Sequence, residues 1–152
     1  MHRPFHIGVI GAGSCDSRTY ALAREVGNHI GKNGWVLICG GLGGVMEAAA
    51  KGCMEAEGLT VGILPGLEAS SANEYIRIPI PTGLGEARNA LVVRASHVLV
   101  AISGGYGTLS EIALGLKTGK PVIGLHTWEN IRGVQYVESP LEVISLVKRA
   151  LK

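Results

Sequence analysis

Two stretches of this 152-residue chain carry residue types that could hold an anion and act on whatever bears it. One is Gly40-Gly41-Leu42-Gly43-Gly44-Val45-Met46; the other is Ser103-Gly104-Gly105-Tyr106-Gly107-Thr108-Leu109-Ser110-Glu111. Each lies between an apolar run of strand character and a run at helical spacing. A helix N-terminus offers free N–H groups and a partial positive charge, and glycine removes the side chain that would keep a phosphate away. Gly11-Ala12-Gly13-Ser14 is a third such junction, for which a plain tight turn is the alternative reading. It lacks the third glycine of a dinucleotide fingerprint, and the second strand ends in Cys39 rather than an acidic residue, which disfavours NAD. No GxxxxGK[ST] loop is present, so a P-loop nucleotidase is excluded. Thr108 can cap the helix that follows it and also donate to a phosphate oxygen. Glu111, three residues on, either closes a capping box or belongs to the site, and the spacing fits both.

The elements that must position these residues alternate from end to end. Strands are expected at His6–Ile10, Trp35–Cys39, Leu59–Leu64, Tyr75–Ile80, His97–Ile102, Pro121–Leu125 and Val134–Val137. Helices are expected at Asp16–Lys32, Val45–Glu57, Glu86–Ala95, Thr108–Lys117 and from Pro140 to Leu151, the last with Ser139 at N-cap and proline at N1. Tyr20, Ala23, Val26 and Ile30 share one face of the first helix, and Asn33-Gly34 stops it. Strands this apolar, separated by helices, predict an α/β fold. It is one Rossmann-like, doubly wound parallel sheet with helices on both faces, spanning residues 1–152 as a single domain. In such a sheet the three glycine junctions lie together at the C-terminal edge, where ligands bind.

Composition narrows the function classes. Apolar residues make up 47% of the chain and charged residues 17%, which excludes disorder. The 23 glycines are clustered, not periodic, which excludes collagen and linker sequence. A net charge of +2, without a basic run or an aromatic stacking platform, argues against nucleic acid as a partner. Apolar runs fall short of the ~20 residues of a membrane helix, and the N-terminus shows no secretory signal. Cys15, Cys39 and Cys53 have no close pairing and fit reduced thiols in a cytoplasm.

The longer glycine stretch resembles the PGGxGTxxE signature of the Lonely Guy (LOG) family, long mislabelled lysine decarboxylases, and the shorter resembles that family's GGGxxGLM loop. The likeness extends over nearly the whole chain. It implies a phosphoribohydrolase that cuts a nucleoside 5′-monophosphate into free base and ribose 5-phosphate, with Arg88 and Glu111 as the essential pair. A carboxylate can stabilise an oxocarbenium-like ribose and orient water, while arginine holds phosphate in a fork of donors. Two positions depart from the pattern: Ser103 stands where the signature has proline, and Asn89 where an Arg-Lys pair is usual. The Gly83–Asn89 stretch and the short chain look more like a neighbouring branch of small bacterial proteins and molybdenum cofactor (Moco) carriers. That branch implies binding of a phosphorylated pterin or nucleotide-like ligand, with Moco as cargo, no cofactor needed for folding, and a homo-oligomer. Carrier-type binding comes first, hydrolysis second, and a ligand-gated regulatory module is a third reading.

The expected ligand contacts are Gly11, Gly13 and Ser14 of the first loop, and Gly40, Gly41, Gly43, Gly44 and Met46 of the second. Arg88 and Asn89 join them, with Ser103, Gly104, Gly105, Tyr106, Gly107 and Thr108 of the third loop. No histidine pattern suggests a metal, and no lysine has a setting for a Schiff base. Cys15 either has a lowered pKa near a helix N-terminus or is simply packed. Trp128 reads equally as a lid or as a contact between subunits.

Overall fold

The computed structural model describes residues 2–152. Along the chain run β1 (His6–Gly11), α1 (Ser17–Lys32), β2 (Val36–Cys39), α2 (Val45–Glu55), β3 (Leu59–Leu64) and β4 (Ile78–Pro81). They are followed by α3 (Asn89–Ala95), β5 (Val98–Ile102), α4 (Tyr106–Lys117), β6 (Val122–Leu125), β7 (Val134–Val137) and α5 (Pro140–Ala150). All seven strands form one parallel sheet in the order β4-β3-β2-β1-β5-β6-β7. The α/β, Rossmann-like, doubly wound class expected from the alternation is the one observed.

Alternation along each strand sorts its side chains to opposite faces. Ile7, Val9, Leu37, Val98 and Val100 pack on one face with residues of α1, α2 and α5. Ile10, Val36, Ile38, Leu99 and Ala101 pack on the other with residues of α3 and α4. Burial on both sides explains why the central strands are continuous apolar runs. Leu37 and Leu99 are fully buried, and truncating either to alanine costs about 2–5 kcal/mol. α1 and α2 meet backbone to backbone, because a Cβ on Gly27 would land on the carbonyl of Ala49, and one on Gly52 on that of Arg24.

The caps are local. Asp16 accepts from the Thr19 amide at 2.8 Å to start α1, and Ser139 accepts from the Glu142 amide at 3.3 Å to start α5, with Pro140 behind it. Asn33 ends α1, followed by Gly34 at φ 71°.

Several boundaries shift by one to three residues, and three of these shifts have a local cause. The helix expected from Glu86 opens as a 3-10 turn, Gly85–Arg88, and becomes α-helical only at Asn89. The fourth strand starts at Ile78 because Asn73 Oδ1 captures the Tyr75 amide and Thr60 Oγ1 captures the Tyr75 carbonyl, holding that stretch in a turn. The fourth helix begins at Tyr106 rather than Thr108. Its N-cap is Gly105, following Gly104 at φ 109°, a conformation that turns the chain early enough for the helix to start two residues before the threonine.

Candidate functional site

Strand order reverses between β1 and β5, so the loops after these two strands diverge to opposite faces and leave a crevice at their carboxyl ends. A cleft of about 160 Å³ lies there. Its walls come from all four neighbouring junctions: Gly11–Gly13 after β1, Gly40 and Met46 around the start of α2, Arg88 and Asn89 at the start of α3, and Gly105, Gly107, Thr108 and Glu111 of α4.

The second glycine loop braces the first. A Cβ on Gly44, at φ 62°, would fall on the Ala12 carbonyl, and that carbonyl accepts the Val45 amide at 2.9 Å. Gly43 approaches the Gly13 carbonyl, while the Asn73 amide donates to the Gly41 carbonyl at 2.9 Å. Gly41, Gly43 and Gly44 therefore serve the packing of loops against each other. From that loop Gly40 and Met46 reach the cleft.

The third loop is anchored on its far side. The Ser103 amide donates to the His126 carbonyl at 3.0 Å, Thr127 Oγ1 donates to the Ser103 carbonyl at 2.6 Å, and Trp128 Nε1 donates to the Gly105 carbonyl at 2.9 Å. A Cβ on Gly104 would collide with the Thr108 side chain. Thr108 is thus the third residue of α4 and does not cap it. No side chain caps α4, which leaves its first amides free beside the cleft.

The capping-box role for Glu111 is also corrected. With α4 starting at Tyr106, Glu111 lies in the second turn and points inward, only 7% exposed. Burial pushes its carboxyl up to about 7, against the opposing pull of the Arg88 guanidinium. Arg88 does not form an ion pair with it. Its Nε donates to the Ile63 carbonyl at 2.9 Å, Nη2 to the Gly40 carbonyl at 3.4 Å, and Nη1 to Asn89 Oδ1. Of the five guanidinium N–H groups, three are engaged in fixing the side chain and two remain for a ligand. Asn89 Nδ2 in turn meets Ser110 Oγ at 3.3 Å, and Ser110 donates to the Gly107 carbonyl at 2.6 Å. Asn89 thereby links the arginine to the first turn of α4.

Ser14, Ser103, Gly104 and Tyr106 lie outside the cleft, although Ser103 and Gly104 shape the loop that borders it. Ala12 lines it within the expected first loop; Val9 and Ile10 line it and were not expected, because nothing in their types marks an apolar strand end as a floor. Cys15 is not activated. Partial burial, with Asp16 and Glu47 nearby, raises its pKa, so packing is the surviving reading. Cys39 is pushed up to about 12 and Cys53 to about 11 by burial. Among the described residues no group of three His, Cys, Asp or Glu side chains is placed to hold a metal. No helix among them is long and apolar enough to cross a membrane.

A model of the SLOG cluster4 family matches residues 4–149. The chain belongs to the SLOG cluster4 family. A solved structure, the molybdenum cofactor binding protein from Rippkaea orientalis, is similar over the whole of both chains, with 39% identity and a TM-score of 0.94. The molybdenum cofactor carrier protein from Chlamydomonas reinhardtii is similar over 98% of this SLOG chain and 99% of its own, with 37% identity and a TM-score of 0.90. An uncharacterized protein of Archaeoglobus fulgidus is 49% identical, covering 91% of each chain. A cytokinin riboside 5′-monophosphate phosphoribohydrolase of Mycobacterium tuberculosis is 29% identical, covering 75% of this chain and 66% of its own length.

Proposed function

We propose that this protein holds a small phosphorylated ligand, a pterin of the molybdenum-cofactor type, by its phosphate end in the crevice between β1 and β5. The observation that carries this reading is Arg88. Three protein oxygens fix its guanidinium in a glycine-walled cleft beside the uncapped start of α4, a ready arrangement for a phosphate. Full-length likeness to two Moco-binding proteins supports a pterin over other phosphorylated ligands. The free cysteines fit a cytoplasmic protein, and the resemblance fits a homo-oligomer. The test is to mix the purified protein with Moco released anaerobically from a molybdoenzyme, then follow co-elution of molybdenum with pterin and the cofactor's half-life in air. Co-elution and a lengthened half-life are expected.

A second reading, phosphoribohydrolase activity, is favoured by one observation. Glu111 carries a carboxyl that titrates near neutrality in the same cleft as a fixed arginine, which suits a group handling protons at physiological pH. Under this reading free base is released from a nucleoside monophosphate, the unphosphorylated nucleoside is ignored, and Glu111→Gln lowers kcat by about 10²–10⁴. Base release without Moco protection would reverse the order of the two.

A further inference from the structure

The cleft between β1 and β5 is too small for the ligand class proposed above. Sites that bury a drug-sized molecule run to about 300–1,000 Å³, whereas this one encloses about 160 Å³. A phosphate and the atoms next to it fit inside; a fused ring system of pterin or purine size must lie beyond the rim. A second groove adjoins the cleft directly. Asn89 and Gly107 form a saddle shared with this groove, of about 540 Å³, between the N-terminal ends of α3 and α4. Ala87, Ala90 and Leu114 give this groove a mainly apolar lining, and Tyr106 forms one wall.

Tyr106 is unusual for its position. It is the first residue of α4, next to the anion-binding amides, and it is 82% exposed. An aromatic side chain left in water costs the hydrophobic gain that burial would give, so its placement at the mouth of a polar cleft points to an occupant. Its ring is backed by Trp128, with centroids 5.7 Å apart and planes 35° from one another. Trp128 is itself pinned: its indole N–H donates to the Gly105 carbonyl at 2.9 Å, and its own carbonyl accepts from the Tyr136 hydroxyl. Trp128 is therefore a fixed support rather than a moving lid. Trp128, in the segment between β6 and β7, thus backs Tyr106 at the start of α4, beside the loop that borders the cleft.

We propose that the groove between α3 and α4 is the subsite for the flat heterocycle of the ligand, with Tyr106 as its stacking surface, while the cleft takes the phosphate end. This rests on the phosphorylated-ligand reading above and divides that ligand between two compartments. The polar cleft supplies charge recognition common to every phosphate ester. The apolar groove supplies the part that separates a ring-bearing ester from a bare sugar phosphate, since a π face stacks on tyrosine whatever its ring substituents.

The experiment measures binding by calorimetry for four probes: inorganic phosphate, ribose 5-phosphate, AMP and a pterin bearing a phosphomonoester. At least one ring-bearing probe is expected to bind the wild type more tightly than ribose 5-phosphate. Tyr106→Ala is expected to weaken that probe by at least about fivefold, the lower end for loss of one base–aromatic stack, and to leave ribose 5-phosphate unchanged. Tyr106→Phe restores the advantage. Ala90→Trp, which fills the groove, removes it again without touching phosphate binding. Unchanged binding of the ring-bearing probes to Tyr106→Ala would overturn the subsite alone. Dissociation of an oligomer by the same variant, seen by light scattering, with ring-bearing probes unaffected, would assign the face to a second copy of this chain instead. Failure of the wild type to bind any of the four would overturn the phosphorylated-ligand reading and the subsite with it.

Discussion

The amide of Ser103 donates to the carbonyl of His126 at 3.0 Å, and both residues hold a left-handed backbone, at φ 56° and 52°. Neither condition is open to proline, which has no N–H and is locked near φ −65°. The loop after β5 in this protein therefore cannot have the backbone of the proline-bearing signature it resembles. Ser103→Pro is expected to destabilise the fold by at least about 2 kcal/mol, through the lost hydrogen bond and the forced turn, and to reduce phosphate binding. Ser103→Gly keeps the amide and removes the Cβ penalty, so its stability should stay within about 1 kcal/mol of wild type. Urea denaturation of both variants checks the contrast.

Glu111 makes stability depend on pH. Its folded-state pKa of about 7 lies above the ordinary 4.5, so the folded state favours the protonated carboxyl. The resulting stability is full below about pH 4.5, falls as pH rises through the window from 4.5 to 7, and is gone above it. A shift of this size corresponds to about 3 kcal/mol for a buried group. Glu111→Gln should abolish that slope and leave the variant more stable than wild type at pH 8, with little difference at pH 4.5. Unfolding free energies at the two pH values give the answer. A wild type no less stable at pH 8 than the glutamine variant would rule out an ionised, unpaired carboxylate.

Arg88 should be irreplaceable by lysine. Arg88→Ala is expected to weaken ribose 5-phosphate binding by about 1.5–3 kcal/mol, the range for a charge-assisted hydrogen bond. Arg88→Lys should recover little of this. One ammonium cannot reach the Ile63 and Gly40 carbonyls and Asn89 at once while keeping donors for a ligand. Calorimetric titration of the two variants is the measurement.

Two adjacent glycines should behave oppositely. A Cβ on Gly105, at φ −105°, meets nothing within 4 Å, so Gly105→Val should leave the melting temperature near wild type while blocking the cleft and abolishing ligand binding. Gly104→Ala places its Cβ in the Thr108 side chain at φ 109° and should cost about 2 kcal/mol or more of stability. Melting curves and binding, measured together, separate a glycine that admits a ligand from one that admits a neighbour.

That distinction marks how far the sequence could be read. The strand–helix alternation was legible because central strands such as Val98–Ile102 are apolar on both faces, which only a covered parallel sheet accommodates. Arg88 and Glu111 were legible through the motifs around them. What escaped was set by contacts between distant segments. Gly44 looks the same in sequence as Gly40, yet one packs on Ala12 and the other lines the cleft. Thr108 is the better capping residue by type, but Gly104 turns the chain first. Trp128 gave no sequence signal of its hydrogen bond to Gly105, 23 positions away.

The fourth strand has a consequence for the protein at high concentration. β4 is an outer strand of the sheet, and Ile78 and Ile80 on it are more than 40% exposed. Such a strand invites another chain to add to it and template a fibre. The Thr82 amide donates inward to Leu64 at 3.1 Å, so by strand alternation the nitrogens of Pro79 and Pro81 turn toward the open side. Those two positions have no hydrogen to offer. An incoming strand would find carbonyls there without the donors that a continuous ladder needs, and the growth of the sheet ends at its own boundary.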